Sequence, residues 1–155
     1  MKPVIYLRIA SILTLIHAVL HTVGGVFGKP VSGQAAMIAA SMRTRFEILG
    51  VMRSYADFYR GMGLGITIAL TMDAAVFWVL ASMARTHSAR LRPIIAVFCL
   101  GYLAFTLNSL VFFFAGPVIA EVLIVLCLAA AFVTATPRKQ GDDSDARTEL
   151  NTARP

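Results

Sequence analysis

Four long apolar runs dominate the sequence and restrict what the chain can fold into. They cover residues 4–27, 58–83, 93–115 and 117–135. Each is close to or above the roughly 20 residues that a helix needs to cross the hydrocarbon core of a bilayer. Such a run is expected to be helical, because unpaired backbone groups are costly in lipid. The sequence therefore predicts an all-α fold, an integral membrane four-helix bundle.

The overall composition agrees with this class. Hydrophobic residues make up 58% of the chain and charged residues 14%, and the mean hydropathy is +0.76. Soluble domains average about 45–50% apolar and about 25% charged residues. We expect one membrane domain at residues 1–136. Residues 137–155 are polar and charged, which predicts a disordered cytoplasmic tail.

Lysine and arginine indicate how the bundle is oriented. The N-terminus, the loop at residues 84–92 and the tail together hold more of these residues than the first loop. By the positive-inside rule, both termini are expected in the cytoplasm, in a multi-pass protein of the cell inner membrane. This topology explains the net charge of +6 without a nucleic-acid partner. The expected partners are membrane lipids, and a homo-oligomer is left open.

The first loop contains a helical pattern of large apolar residues. They recur at steps of four and three, as Ile38, Met42, Phe46, Leu49 and Met52. This spacing is typical of a helix with one apolar face. Ser32 is placed to cap its start and Gly50 to end it. The pattern predicts an amphipathic interfacial helix at residues 34–52.

Glycines on the apolar runs are candidates for helix packing. They are Gly24, Gly25, Gly28, Gly61, Gly65 and Gly101. In the first two runs, glycines four residues apart form small-x-x-x-small motifs, which let two helices approach closely in lipid. We therefore expect the first two spans to be neighbours near the outer side.

Polar and ionisable side chains in or next to the runs are the candidates for ligand binding or proton handling. They are His17, His21, Asp57, Arg60, Asp73, Asn108 and Glu121. Ionisable residues in a bilayer are costly, usually face the interior of a bundle and mark functional sites. Asp57 and Arg60 are three residues apart, so we expect them to pair above the others at the outer surface.

The depth of these side chains follows from a rise of about 1.5 Å per residue, counted from the middle of each run. His21, Asn108 and Glu121 fall at one level in the outer half. His17 lies near the centre, and Asp73 lies towards the cytoplasmic side. We therefore expect a polar pocket in the outer half, in which His21 is the partner of Glu121 and the pair suits proton handling.

Metal binding is only weakly indicated. His17 and His21 are four residues apart and could bind one metal with Glu121. However, His17 is not followed by the glutamate of the H-E-x-x-H motif. Cys99 and Cys127 lie in separate apolar runs, so they form neither a C-x-x-C zinc site nor a disulfide framework. We expect no metal and no cofactor.

Two short motifs accompany the candidate residues. They are H-T-V-G-G at residues 21–25 and R-S-Y-A-D-F-Y-R-G-M-G at residues 53–63. With them, residues 4–135 resemble a family of small, uncharacterised bacterial inner-membrane proteins with four spans. The resemblance implies that fold but no reaction. Its motifs map onto His21, Gly24, Gly25, Arg53, Asp57, Gly61 and Gly63.

Three functions remain open from the sequence. The small size and the polar pocket favour a non-enzymatic membrane protein that binds a lipid or small hydrophobic ligand, or that acts as an accessory membrane subunit. One alternative is an isomerase-like intramembrane enzyme, with Glu121 and His21 as acid and base, on analogy of architecture alone. The other is a proton-coupled transporter subunit that depends on Asp73 or Glu121. No catalytic residue is assigned.

Overall fold

The computed structural model describes residues 2–135, and the predicted all-α class is confirmed. The helices are α1 (Lys2–Leu20), α2 (Gly33–Ser41), α3 (Tyr55–His87), α4 (Arg92–Phe112) and α5 (Ala115–Thr134). A π-helical segment, His21–Val26, continues α1. The predicted tail at residues 137–155 lies outside the described residues.

Three continuous helical stretches are long and apolar enough to cross a membrane, judged by length and composition. They are Lys2–Val26, Tyr55–Phe112 and Ala115–Thr134. The second stretch contains both α3 and α4, which are joined by the 3-10 turn Ser88–Leu91. The chain reverses direction at this turn. The reversal brings Phe77 of α3 against Phe98 of α4, with ring centroids 5.0 Å apart.

Helix α3 begins earlier than its apolar run because a capping box starts it. The Ser54 hydroxyl accepts a hydrogen bond from the Asp57 amide at 3.2 Å, and Asp57 Oδ2 accepts one from the Ser54 amide at 3.0 Å. This reciprocal pair satisfies backbone donors that the first turn of a helix leaves free. The helix therefore starts at Tyr55, directly after a β-strand.

The long helices pack side by side, with α1 against both α3 and α5, and with α4 against α5. The predicted proximity of the first two spans is thus confirmed. Their shared core consists of apolar residues that recur at helical spacing on each inner face. The fully buried members include Leu7, Ala10, Phe77, Ile95, Ile124, Leu128 and Ala131.

The first loop differs from the prediction. Helix α2 covers only the first half of residues 34–52, and an antiparallel hairpin follows it. Its strands are β1 (Arg45–Ile48) and β2 (Val51–Ser54), with Arg45 opposite Ser54 and Ile48 opposite Val51. The prediction of a single interfacial helix at residues 34–52 is therefore wrong in its second half.

The turn of the hairpin explains this difference. Leu49 and Gly50 both have positive φ, at 50° and 79°, as a two-residue hairpin turn with a type I′ backbone requires. Gly50 therefore closes a hairpin rather than ending a helix. The start of α2 agrees with the prediction, because the Ser32 hydroxyl accepts a 3.1 Å hydrogen bond from the Ala35 amide.

Candidate functional site

Polar side chains from all the long helices lie buried or half-buried between them, and we call this cluster the polar core. The polar side chains of α1 are three residues apart, and those of α4 are four and three residues apart. Helices α3 and α5 contribute one carboxyl group each. The members are Ser11, Thr14, His17, Asp73, Tyr102, Thr106, Ser109 and Glu121. The same helical faces carry the apolar core, so the packing of the helices encloses the polar groups.

Glu121 is the most deeply enclosed acidic group of the polar core. Only 5% of the residue is exposed. Its Oε1 atom accepts a 2.9 Å hydrogen bond from the Ser109 hydroxyl of α4. Its Oε2 atom is buried and has no hydrogen-bond partner among residues 2–135. A buried polar atom without a partner costs about 1–3 kcal/mol, so a free carboxyl oxygen marks this position as a candidate contact for a ligand or a proton.

Tyr102 connects the two acidic sides of the polar core. Its hydroxyl donates a 3.0 Å hydrogen bond to Asp73 Oδ2. The Glu121 carboxyl group lies close enough to the same phenol for an electrostatic interaction. The Thr14 hydroxyl lies beside it too, but without the geometry of a hydrogen bond. Tyr102 therefore lies among side chains of α1, α3 and α5.

His17 adds a further free polar atom from α1. The residue is buried, and its Nδ1 atom has no hydrogen-bond partner in the described part of the chain. The rings of His17 and His21 are close enough to repel each other when both carry a charge. Together with Thr14 Oγ1 and Glu121 Oε2, three buried polar atoms without partners come from two helices that pack directly against each other.

His21 contacts α3 rather than the carboxyl group that the sequence analysis chose for it. Its Nε2 atom lies 3.1 Å from the carbonyl oxygen of Gly63. Because a carbonyl oxygen can only accept, Nε2 must carry the proton, and in the neutral ring Nδ1 is an acceptor. The expected partnership of His21 with Glu121 is therefore wrong, since Glu121 Oε1 is bonded by Ser109 and Glu121 Oε2 has no partner among residues 2–135.

A pair of threonines next to His21 joins α1 to α3, and sequence analysis missed it. Thr22 Oγ1 lies 2.9 Å from Thr67 Oγ1 and donates to the Ala18 carbonyl at 2.6 Å, while Thr67 Oγ1 lies 3.2 Å from the Gly63 carbonyl. Each hydroxyl has one proton. The two protons cannot serve all three contacts at once, so one contact is always without its hydrogen bond.

One glycine allows the close approach at this contact, and it is not one that the spacing motif selected. A Cβ atom at Gly63 would lie 2.8 Å from Val26 Cγ2, whereas one at Gly25 would meet His21 of its own helical segment at the ordinary contact distance of 3.4 Å. Within residues 2–135, no close approach of a second helix is seen at the other candidate glycines, because an added Cβ atom meets nothing within 4 Å there. These are Gly24, Gly61, Gly65 and Gly101.

Gly28 has a local role. An added Cβ atom would collide with the carbonyl oxygen of Gly24 in the preceding turn. The spacing between these two glycines therefore reflects the backbone after the π-helical segment. It does not reflect contact with a second helix.

Asn108 does not belong to the polar core, because its side chain is exposed on α4. The neighbouring Ser109 occupies the inward position instead. One residue along a helix changes direction by about 100°, since there are about 3.6 residues per turn. Depth along the helix therefore could not determine which face of α4 carries Asn108.

Asp57 and Arg60 are both exposed at the end of the molecule that carries the hairpin. The expected pairing is replaced by the capping box, because Asp57 Oδ2 also accepts a 2.9 Å hydrogen bond from the Ser54 hydroxyl. These hydrogen bonds from the hydroxyl and the amide of Ser54 hold the pKa of the Asp57 carboxyl group below its usual range. The guanidinium groups of Arg45 and Arg53 act in the same direction.

The residues that sequence reasoning missed have a recognisable pattern. Tyr102, Thr106 and Ser109 follow each other at steps of four and three on α4, and Thr14 lies three residues before His17 on α1. Hydroxyl groups at helical spacing within an apolar run indicate an inward face, because lipid offers such groups no hydrogen-bond partner. Within residues 2–135, no group of three or more His, Cys, Asp or Glu side chains is arranged to hold a metal ion.

The chain matches no protein-family model, no curated protein and no solved structure. The family resemblance suggested by the two motifs therefore stays a prediction.

Proposed function

We propose that the chain is a multi-pass membrane protein whose polar core binds a lipid or small hydrophobic ligand that carries a polar group. In this proposal α1, α3, α4 and α5 cross one bilayer as a four-helix bundle. The observation that carries the proposal is the buried carboxyl group of Glu121, of which one oxygen has no partner. An accessory membrane subunit that binds such a ligand belongs to the same proposal.

The distribution of apolar side chains supports insertion into a membrane. The long helices expose large apolar residues on their outer faces, for example Leu20 at 65%, Val111 at 72% and Phe112 at 74%. Soluble monomers rarely expose contiguous apolar patches larger than a few hundred Å². In a bilayer these faces would lie against acyl chains, while the polar core stays out of contact with lipid.

The two ends of the bundle support an orientation. In the half of the bundle that carries the turn Ser88–Leu91, the guanidinium group of Arg8 lies 5.0 Å from the Trp78 ring, and that of Arg92 lies 4.5 Å from the Phe132 ring. We place this basic end in the cytoplasm, as the positive-inside rule favours. Exposed aromatic side chains of α3 lie at the opposite end, where they fit the outer membrane interface.

The free atoms of the polar core define what a ligand would need. Thr14 Oγ1 can donate or accept a hydrogen bond, His17 Nδ1 can accept one in the Nε2-protonated tautomer, and Glu121 Oε2 can accept one or donate one when it carries a proton. Ser109 holds the carboxyl group in place from the other side. A hydroxyl or amine group on an otherwise apolar molecule would satisfy these atoms and offset their desolvation.

Native mass spectrometry from lipid discs tests the proposal. Glu121→Gln keeps the size of the side chain and the acceptor for Ser109, but it removes the acid. We expect the wild type to release a bound lipid or hydrophobic molecule that Glu121→Gln has lost. Asn108→Ala is the matched control, since it changes an exposed polar residue one position from Ser109, and it should retain the ligand. Equal occupancy in wild type and Glu121→Gln would contradict the proposal.

Proton handling is a second candidate function, and one observation favours it. Hydrogen bonds tie Glu121 to α4 through Ser109, and Asp73 to α4 through Tyr102, so two carboxyl groups are held by the same helix. Tyr102 interacts electrostatically with both. If a proton moves between them, Asp73→Asn and Glu121→Gln should each abolish proton flux in vesicles loaded with a pH-sensitive dye. A ligand-binding protein would show no such flux in the wild type.

A further inference from the structure

A basic recess lies at the hairpin end of the molecule, apart from the polar core. It has a volume of about 230 Å³ and is open to the surface. Its lining residues are Arg43, Arg45, Ser54, Ala56, Asp57 and Arg60. Three guanidinium groups thus share the recess with one carboxylate, which gives it a net positive charge.

Backbone contacts fix the positions of the three arginines. The Ala56 amide donates a 2.9 Å hydrogen bond to the Met42 carbonyl, which holds the segment around Arg43 against the first turn of α3. Arg45 lies opposite Ser54 in the hairpin register. Arg60 comes from the second turn of α3. The recess is therefore built from three separate pieces of chain that meet at one helix start.

The carboxylate in the recess is already engaged. Asp57 Oδ2 accepts hydrogen bonds from both the amide and the hydroxyl of Ser54. These are the hydrogen bonds that start α3, and they do not involve the arginines. The guanidinium groups therefore keep donors for an external anion, and the start of a helix adds a favourable partial positive charge.

The surroundings of the recess indicate the source of the anion. Tyr55, Phe58 and Tyr59 follow the capping box on α3 and are exposed, at 65%, 41% and 58%. Aromatic side chains of this kind settle at the level of lipid headgroups. A guanidinium fork fits the oxygens of a phosphate group, in one or two parallel hydrogen bonds.

We propose that Arg43, Arg45 and Arg60 form a binding site for the phosphate of an anionic phospholipid in the outer membrane interface. This proposal uses the membrane placement argued above, but it does not depend on the polar core. The net positive lining favours an anionic headgroup over a zwitterionic one, whose positive group would be repelled.

Lipid titration of the purified full chain in detergent, read by native mass spectrometry, tests the site. The probes are phosphatidylglycerol, which is anionic, and phosphatidylcholine, which is zwitterionic. We expect tighter binding of phosphatidylglycerol, weakened about tenfold by Arg43→Gln, Arg45→Gln or Arg60→Gln, since each removes a charged hydrogen-bond donor. Equal affinity of the wild type for the two lipids would overturn the proposal.

Arg53→Gln is the matched control. It makes the same change of charge on the neighbouring strand β2, but Arg53 does not line the recess. Its effect should stay below about threefold, because Arg53 reaches the recess only through its charge near Asp57 and gives the lipid no hydrogen bond there. If Arg53→Gln weakens phosphatidylglycerol binding as much as Arg60→Gln does, the attraction is diffuse and the site does not exist.

Two further measurements separate this lipid site from a site for soluble phosphate and from the polar core. Millimolar glycerol phosphate should not displace the lipid, and displacement by it would overturn the lipid as the ligand in favour of a soluble phosphate. Glu121→Gln should leave phosphatidylglycerol binding unchanged, so failure of the polar core and failure of this site give different results. If a glutamine variant unfolds, Arg60→Lys keeps the charge, and it must still prefer phosphatidylglycerol to phosphatidylcholine.

Discussion

Ser109 and Glu121 are joined by a 2.9 Å hydrogen bond that occupies only one oxygen of the carboxyl group. The bond links α4 to α5 and fixes an acidic side chain between helices whose outer faces are apolar. The second oxygen stays without a partner. The same interaction therefore stabilises the packing and leaves a polar atom available for function.

Removal of the Ser109 hydroxyl should destabilise the protein. Ser109→Ala leaves both carboxyl oxygens of Glu121 buried without a donor, which should lower the free energy of unfolding by about 1–3 kcal/mol. Denaturant titration in detergent micelles measures the change. Asn108→Ala, on the exposed face one residue earlier, should change it by less than about 0.5 kcal/mol. Equal effects of the two variants would mean that the hydrogen bond does not form.

Removal of the Tyr102 hydroxyl should have a comparable effect. Tyr102→Phe keeps the buried ring but deprives half-buried Asp73 of its donor, which should cost about 1.5–3 kcal/mol if the carboxylate is charged. Tyr59→Phe removes an exposed hydroxyl and serves as the control. In the double variant Tyr102→Phe with Asp73→Asn, much of the lost free energy of unfolding should be recovered. A purely additive double variant would contradict the assigned contact.

Addition of one methyl group should distinguish the glycine that contacts α1 from those that do not. Gly63→Ala places a Cβ atom against Val26 Cγ2, and the β-branched side chain cannot easily move aside. Overpacking of this kind costs about 1–3 kcal/mol. Gly61→Ala meets open space and should stabilise α3 by about 0.5–1 kcal/mol through helix propensity.

Val26→Ala provides the control for this clash. In the Val26→Ala background, the penalty of Gly63→Ala should largely disappear, because the methyl group that it meets is gone. A penalty that persists there would place the strain in the contact with His21, whose Nε2 atom lies 3.9 Å from the same Cβ position.

The capping box should make stability depend on pH in acid. The pKa of Asp57 is lowered by Ser54 from the ordinary value of 3.8, so its contribution is fully present above that value and is lost as the pH falls through the folded-state pKa. The wild type should therefore melt at a higher temperature than Asp57→Asn at pH 6, and the difference should shrink towards pH 2.5. A difference that grows in acid would contradict the assigned hydrogen bonds.

Much of the fold could be predicted from the sequence, since the length of an apolar run determines whether it can cross a membrane. The runs at 58–83 and 93–115 correspond to α3 and α4, but the capping box of Ser54 and Asp57 that starts α3 was not predicted. The hairpin was not predictable, because Leu49 and Gly50 are not the usual Asn-Gly turn. Apolar residues there also satisfy a helical spacing.

The sequence predicted some of the residues that form the polar core, but it predicted only part of their contacts. His17 and Glu121 are buried, because charged or polar groups in apolar runs turn inward. Asn108 is exposed because depth along a helix carries no information on rotation about its axis. The contact of His21 with Gly63 depends on the π-helical segment, which shifts the register of the chain after Leu20 and has no clear signal in the sequence.

The crossing of one bilayer by four helices is tested most directly by cysteine labelling in intact cells. Leu49→Cys lies at the tip of the hairpin, where the side chain is 98% exposed, and Ala89→Cys lies in the turn between α3 and α4. The account predicts that a membrane-impermeant maleimide labels Leu49→Cys from outside and labels Ala89→Cys only after the membrane is opened. Labelling of both positions, or of neither, in intact cells would contradict it.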